Sequence, residues 1–275
     1  MSEITAPTSP PTLYIEGPAF WAPELPGWDI ARAAFRDEGA LADPPAKRPS
    51  PQILAPAERR RAPDTVALAL EVASAAVAAS GRDAKALPCV FASAHGDLGI
   101  NDYMCGTLAT DPSVLSPIKF HNSVHNAAVG YWTIGTGCMA ASNSLSAFET
   151  TFAAGLLEAA TQCAADQQAI LLVGYDVPAV GPLKSVITSA GLMAAGFVVS
   201  PVRTERTVAS FDWALEPGPA QVPALRSSAA ESVHTDSIAD ALPVFEELAR
   251  GTGNALRLPL APTLSLRLQI HPLTD

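Results

Sequence analysis

Short apolar runs alternate with helical patterns along this chain, and that alternation restricts its fold more than any other feature. The run AILLVGY, residues 169–175, has the length and composition of a fully buried strand, and similar runs lie at 13–17 and 89–94. Between two of these runs, apolar residues at helical spacing predict a helix over 64–80, ended by Gly81. Strands separated by helices are typical of βαβ units, so the sequence predicts an α/β fold with a mainly parallel sheet.

The second half of the chain continues this pattern and then changes character. A polar, turn-rich stretch over 216–236 is predicted to be a linker, and residues 237–275 to be an extension that packs on the domain of residues 13–215. The first part, residues 1–12, is rich in Pro, Thr and Ser and is predicted to be disordered. Further predicted elements are a helix over 100–108, strands over 192–199 and 207–215, a helix over 243–250 and a last strand over 264–270.

Composition narrows the class of protein. Of the 275 residues, 48% are hydrophobic and 16% are charged, which suits helices packed closely on a sheet. The net charge of −10 argues against a nucleic-acid partner. No basic start with an apolar core precedes the first strand, and the longest apolar run, 186–199, is too short for a membrane span. The four cysteines show no CxxC spacing, so we expect a reduced, cytoplasmic protein.

Cys138 is the residue most suggestive of chemistry. The stretch 116–155 reads as an extended segment, a short strand, a sharp turn at Gly135 and Gly137, and a long helix that starts at Cys138. Gly155 is expected to end or kink this helix, with a helical continuation over 156–164. A cysteine at a helix N-terminus lies near unpaired N–H groups and a partial positive charge, which lower its pKa and make it a better nucleophile. The alternative is an unreactive buried cysteine, since free cysteines are among the most buried residues.

Two segments carry a family resemblance, NSVHNAAVGYW at 122–132 and FAAGLLEA at 152–159. They are similar to the β-ketoacyl synthase-like, N-terminal domain proteins of the thiolase-like superfamily, which occur in gene clusters for aryl-polyene and xanthomonadin-type pigments. A shorter likeness extends to the condensing enzymes themselves. The resemblance implies a thiolase-like half, a βαβαβαββ-type mixed sheet packed between helices, with a short C-terminal α/β extension.

The resemblance also implies roles for single residues. It places Cys138 at the nucleophile of the condensing enzymes, although the bulky Met139 departs from their pattern. Condensing enzymes take two catalytic histidines from a second half of the fold, and only 60 residues follow Leu215 here. His121 and His125, four residues apart, remain as candidate bases.

The same histidines have plainer interpretations. A lone histidine is more often a hydrogen-bonded structural residue than a base. A zinc site built from Cys105, His121, His125 and Cys138 matches no structural-zinc spacing. We therefore expect neither a metal nor a cofactor.

Two surfaces are candidates for partners. Residues 118–137, which include Tyr131 and Trp132, are expected to contact a second subunit, because the segment before the nucleophile lies at the dimer interface of condensing enzymes; the alternative is an internal helix and strand of the core. The second surface is a basic cluster, interpreted either as solvated surface or as a docking patch for an acidic acyl carrier protein. Its members are Lys47, Arg48, Arg59, Arg60 and Arg61.

These features support two hypotheses of function. The leading one is a condensing-enzyme-like subunit without full condensing activity, which pairs with a full-length ketosynthase or with itself and acts as a chain-length factor in an aryl-polyene type of pathway. The other is a self-sufficient acyltransferase or thioesterase that uses Cys138, with His121 or His125 as base. A degenerate protein with only a structural role is a third possibility.

Overall fold

Eight strands form one sheet in the order β3-β2-β4-β5-β1-β6-β8-β7 within residues 10–273, which the computed structural model describes. Only the neighbours β3-β2 and β2-β4 are parallel among these strands. The prediction of a mainly parallel sheet was therefore wrong, because only the strands joined by long helical crossovers run in the same direction. The strands are β1 (Leu13–Trp21), β2 (Cys89–Ala92), β3 (Ser142–Leu145), β4 (Ile170–Asp176), β5 (Met193–Ser200), β6 (Thr207–Pro217), β7 (Ala255–Ala261) and β8 (Leu264–Pro272).

Helices cover both faces of the sheet, as the alternating pattern predicts. Helices α3 and α6 pack on one face, and α1, α7 and α9 pack on the other. The helices are α1 (Trp28–Phe35), α2 (Pro56–Arg61), α3 (Asp64–Ser80), α4 (Leu98–Thr110), α5 (Pro117–Asn122), α6 (Ala127–Thr136), α7 (Thr151–Asp166), α8 (Ser228–Ser232) and α9 (Leu242–Arg250). No helix in the described part of the chain is long and apolar enough to cross a membrane.

One part of the apolar core lies under helix α7. Phe152 of this helix, Phe197 of β5 and Phe245 of α9 meet with ring centroids 5.8–6.2 Å apart. Gly155 lets α7 approach the sheet, because a Cβ there would lie 3.0 Å from the Cβ of Ala92. Helix α7 runs through Gly155 to Asp166, in agreement with the helical continuation predicted over 156–164. The glycine serves close packing instead of termination.

Helix α3 confirms the helix that apolar spacing predicts over 64–80. It runs from Asp64 to Ser80, and Gly81 ends it with a φ of 68°. Asp64 does not cap the helix, because Pro63 holds the cap position and no side chain bonds there. Asp64 instead pairs with Arg48 at 2.8 Å.

The segment before β3 differs most from the prediction. Residues 116–137 form the helices α5 and α6 where an extended segment and a strand were expected. Gly137, with a φ of 69°, closes the C-terminus of α6 and does not open the next helix. A glycine ending one helix and a glycine preceding another look alike in a sequence, which explains the error.

The C-terminal residues extend the same sheet. Strand β6 pairs with β8, and β8 pairs with β7 as an antiparallel hairpin. The stretch 216–236 is largely irregular and contains the short helix α8. Most of the segment 1–12, predicted to be disordered, lies outside the described residues. The domain boundaries at 13, 215 and 237 stay a prediction.

Candidate functional site

The strand-to-helix corner of the fold lies at Phe148. Strand β3 ends at Leu145, a short 3-10 turn covers Phe148–Thr150, and α7 begins at Thr151. Phe148 has a φ of 54°, in the left-handed region where a bulky side chain is strained. Its side chain is 53% exposed and reaches the wall of a cavity. The corner at which the resemblance implies a nucleophile therefore carries a phenylalanine.

Cys138 lies elsewhere, and the prediction that it begins a helix was wrong. It follows α6 and precedes β3, so no helix N-terminus is next to it. The residue is only 4% exposed, and its sulfur lies 3.6 Å from the carbonyl oxygen of Leu87. The position matches the alternative of a small buried cysteine.

The candidate bases His121 and His125 do not lie close to Cys138. His125 contacts the Ser93 carbonyl oxygen at 2.8 Å and the Ser144 hydroxyl at 3.0 Å, beyond the end of β2, whereas Leu87 precedes the start of β2. The four residues of β2 span on the order of 13 Å, which separates His125 from Cys138. His121 lies edge-on to Tyr131, with ring centroids 6.2 Å apart.

Cys105, the remaining member of the zinc set considered from the sequence, is exposed on α4. Within residues 10–273, no group of three or more His, Cys, Asp or Glu side chains is placed to hold a metal ion.

Buried polar groups gather where β2 and β4 end. Asp176 accepts hydrogen bonds from the Ser93 hydroxyl at 2.6 Å and from the Ala94 N–H at 2.9 Å. The ring nitrogen Nε2 of His95 lies 3.6 Å from the same carboxylate. Burial raises the pKa of Asp176, and the neighbouring His95 opposes that rise. This cluster was not predicted from the sequence.

Two more buried aspartates stand beside the corner. Asp240 accepts hydrogen bonds from the N–H groups of Phe152 and Ala153 at 3.3 and 2.8 Å, and so satisfies the first turn of α7. Burial raises the pKa of Asp240 to about 7. Burial also raises the pKa of Asp236 well above its usual value, and the charge of Asp176 adds to the effect.

The corner cavity has a volume of about 370 Å³ and an acidic lining. Its walls include Phe148 and four carboxylic acids, Glu149, Glu231, Asp236 and Asp240, and no lysine or arginine. Because burial raises the pKa of Asp236 and of Asp240, these two acids keep their protons to a higher pH than usual. No cysteine lines the corner cavity within the described residues, whereas one histidine, His234, does.

Comparison with known proteins agrees with this geometry. The family described as beta-ketoacyl synthase, N-terminal domain, matches residues 34–259. The chain belongs to the β-ketoacyl synthase N-terminal domain family. Its likeness to condensing enzymes was predicted from the residues and is confirmed. No curated protein matches the chain.

Solved structures share the fold of this β-ketoacyl synthase-like chain. A ketosynthase (ApeO) in complex with its chain length factor (ApeC) from Xenorhabdus doucetiae matches with a TM-score of 0.70 and 22% identity, covering 94% of this chain and 99% of that chain. The ishigamide ketosynthase/chain length factor matches with a TM-score of 0.70 and 12% identity, covering 96% and 100%. A β-ketoacyl synthase from Burkholderia phymatum STM815 gives 0.58 and 13%, covering 85% and 71%. The predicted thiolase-like fold class is confirmed.

An exposed apolar surface precedes the corner in this β-ketoacyl synthase-like chain, and we name it the apolar arm: α4, α5 and α6 with their connections, residues 98–139. Within α4, only Leu98 and Ile100 are buried. Ile134 is 82% exposed and Met139 is 94% exposed. Other exposed apolar side chains of the arm are Leu108, Val114, Ile118, Phe120 and Val124. So many exposed apolar side chains in one region mark an interaction surface.

Strand β3 forms one edge of the sheet beside this arm. It pairs with β2, and its other side has no partner strand in the described part of the chain. Its four residues SNSL are exposed or half-buried. An open edge presents free N–H and C=O groups to another chain.

The basic cluster is partly used inside the chain. Arg48 pairs with Asp64, and Arg59 donates to the Leu54 carbonyl oxygen at 2.9 Å. Arg60 and Arg61, by contrast, are exposed on α2, and the described residues hold no salt-bridge partner for them. Only part of the cluster is therefore free to meet an anionic partner.

Proposed function

We propose that the chain is a non-condensing subunit that pairs with a full-length ketosynthase and acts as its chain-length factor. The observation that carries the proposal is the corner itself, where Phe148 occupies the turn between β3 and α7. Condensation needs a thiol that accepts the acyl group at this point. A subunit that keeps the frame and lacks the thiol contributes shape instead of chemistry.

The apolar arm and the edge of β3 support a subunit contact over residues 118–137. Ile118, Phe120 and Ile134 are more than half exposed, which a monomer in water does not favour. Pairing of β3 with a strand of the partner satisfies its open edge and covers these side chains together. The same contact places the apolar arm next to the acyl chain that grows in the ketosynthase. The arm then limits how long that acyl chain becomes.

An acyl carrier protein is the second proposed partner. Carrier proteins are acidic, and Arg60 and Arg61 offer free positive charge on an otherwise acidic chain. The pathway is proposed to be of the aryl-polyene type, which rests on the segments 122–132 and 152–159. The setting of such a pathway is cytoplasmic.

Co-purification tests the pairing. The chain is co-expressed with the full-length ketosynthases of its host, each carrying a tag, and we expect one stable complex. Ile134→Glu places a charge in the contact and lowers the affinity about 10-fold or more. Val202→Glu is the matched control, because Val202 is 56% exposed on a loop far along the chain from the arm. The proposal fails if every ketosynthase elutes without the chain.

Product length tests the role within the complex. The ketosynthase with the native chain is expected to release products of one narrow length. Phe120→Ala shortens an exposed side chain of the arm and shifts the distribution of lengths while the complex stays intact. An unchanged distribution argues for a purely structural subunit.

Iodoacetamide labelling tests the alternative of a Cys138-dependent enzyme. Because Cys138 is buried and Cys105 is exposed, we expect Cys105 to be labelled in the folded chain and Cys138 to be protected until unfolding. Rapid labelling of Cys138 near neutral pH favours an acyltransferase or thioesterase instead.

A further inference from the structure

One imidazole ring joins the apolar arm to the sheet. The Nε2 atom of His125, between α5 and α6, lies 2.8 Å from the Ser93 carbonyl oxygen, and its Nδ1 atom lies 3.0 Å from the Ser144 hydroxyl. Ser93 directly follows β2, and Ser144 belongs to β3, the open edge of the sheet. Because a carbonyl oxygen only accepts, Nε2 carries a proton, and in the neutral ring Nδ1 accepts from the hydroxyl. Within residues 10–273, no other side chain over 98–126 forms a hydrogen bond with a residue outside that range.

Buried groups hold the acceptor at Ser93 in place. The Ser93 hydroxyl donates to Asp176 at 2.6 Å and accepts from the Gly96 N–H at 2.8 Å. The Ser93 N–H donates to the Leu145 carbonyl oxygen at 3.1 Å. Ser93 and Asp176 are both fully buried. The imidazole of His125 therefore bonds to a fixed point at the end of β2.

The part of the apolar arm before α6 has few other attachments to the chain. Helix α4 buries only Leu98 and Ile100, and α5 buries only Asn122. Helix α6, by contrast, packs on α3 and buries three side chains, which include Trp132. A segment with few buried apolar side chains opens at a low free energy. The two hydrogen bonds of His125 therefore make up a large share of what holds α4 and α5 in place.

The two ends of this segment meet at His125. Asp97 caps the start of α4, where its carboxylate accepts from the Ile100 N–H at 2.8 Å. The neighbouring Gly96 lies against the imidazole, since a Cβ placed there would lie 3.6 Å from the ring carbon Cδ2 of His125. This contact closes residues 97–125 into a loop, which carries many of the exposed apolar side chains proposed to meet the ketosynthase.

We propose that His125 is a positioning residue that pre-organises the apolar arm for its ketosynthase partner. Its two hydrogen bonds hold α4 and α5 beside β3, so the exposed apolar side chains and the open strand edge keep one fixed arrangement. A partner then meets an arm that is already ordered, and the affinity is not reduced by a population of open arms. This inference rests on the proposed function and adds the residue that prepares the contact surface.

Hydrogen exchange of the purified full chain tests the positioning role. We expect His125→Ala to speed amide exchange over 98–126 about 10-fold, because two hydrogen bonds that hold this segment are lost. Helix α3 and strand β4 are expected to keep their native exchange rates. His121→Ala is the matched control and leaves exchange unchanged, because His121 is exposed on α5 and lies edge-on to Tyr131.

The affinity for the ketosynthase tests the consequence for binding. We expect His125→Ala to weaken the complex about 10-fold, in step with the faster exchange of the arm. His125→Gln restores most of the affinity, because its side-chain N–H reaches the Ser93 carbonyl oxygen. Ser144→Ala removes only the second hydrogen bond and gives an intermediate loss.

Three outcomes overturn the inference. The first is native exchange over 98–126 in His125→Ala, and the second is exchange that becomes equally faster in α3 and β4. The third is faster exchange confined to the arm with native affinity for the ketosynthase, because the complex then does not depend on a pre-ordered arm. If no ketosynthase binds the native chain, the proposed function fails, while arm-confined exchange in His125→Ala still supports His125 as the residue that holds the arm.

Discussion

The corner at Phe148 and the apolar arm flank strand β3 along the chain, and they are built in opposite ways. The corner stands over buried aspartates whose oxygens accept hydrogen bonds from the backbone of α7 and of Ala94, just after β2. The arm carries apolar side chains into solvent and buries only two residues of α4. The contrast is what the proposed function predicts: polar groups of the corner that maintain the fold, and an arm that meets a partner.

Asp240→Ala gives the largest expected effect. It removes the acceptor of two buried N–H groups at the start of α7, each of which costs about 1–3 kcal/mol when left unpaired. We expect a loss of about 3 kcal/mol in the free energy of unfolding, measured with urea. Glu149→Ala, at an exposed position of the same cavity, is the control and leaves the midpoint unchanged. If Asp240→Ala unfolds at the same urea concentration as the native chain, the hydrogen bonds of Asp240 do not stabilise the fold.

The second prediction concerns the pH dependence of stability, which the buried aspartates of the corner are expected to cause. The pKa of Asp240 is raised to about 7 in the folded chain, above the usual 3.8. The folded state therefore holds this proton more tightly, so the contribution of Asp240 to stability is greatest below about pH 4 and falls as pH rises toward 7. Asp176 and Asp236, also with raised pKa values, act in the same direction. We expect Asp240→Asn to weaken the pH dependence of the free energy of unfolding, measured with urea from pH 4 to 8. If that pH dependence is unchanged, other groups cause it.

Phe148→Gly is expected to increase the stability of the fold, by less than Asp240→Ala decreases it. Glycine adopts a φ of 54° without strain, which recovers about 1 kcal/mol of the cost at this turn. Phe148→Ala removes the same ring and keeps the strain, so the difference between the two variants isolates the backbone contribution. Thermal unfolding measures both. Equal melting temperatures mean that the left-handed turn costs nothing here.

Ile134→Ser is expected to change stability least. Its side chain is 82% exposed, and substitutions at such sites stay within about 0.5 kcal/mol. Urea unfolding of the isolated chain provides the measurement. A large loss of stability shows that the arm packs on its own chain and weakens the case for a partner surface.

Strong periodicity made several elements predictable from the residues alone. Helix α3, strand β4 and strand β8 appear within a residue or two of their predicted bounds. Strand β3 escaped prediction because its four residues, SNSL, lie at an exposed edge and carry no apolar alternation. The buried Asp240 escaped as well, since no local pattern indicates which helix N-terminus a distant aspartate reaches.

The candidate site was likewise predicted in part. The type of corner was predicted, and its position was wrong by ten residues, at Cys138 instead of Phe148. Glycines precede Cys138 and small residues precede Phe148, and only the positive φ of Phe148 marks the real turn. The roles of Cys138, His121 and His125 as catalytic residues stay a prediction that the labelling experiment tests.

The sequence by itself determined that the chain builds an α/β sheet of the β-ketoacyl synthase type, because apolar spacing and the segments 122–132 and 152–159 are local properties. Tertiary structure alone decided which turn stands at the carboxyl end of β3. That choice depends on strand pairing: β2 takes β3 on one side and β4 on the other, and the pairing carries Phe148 to the edge of the cavity and leaves Cys138 at the opposite end of β2. Pairing joins residues far apart in the chain, so no local pattern contains it.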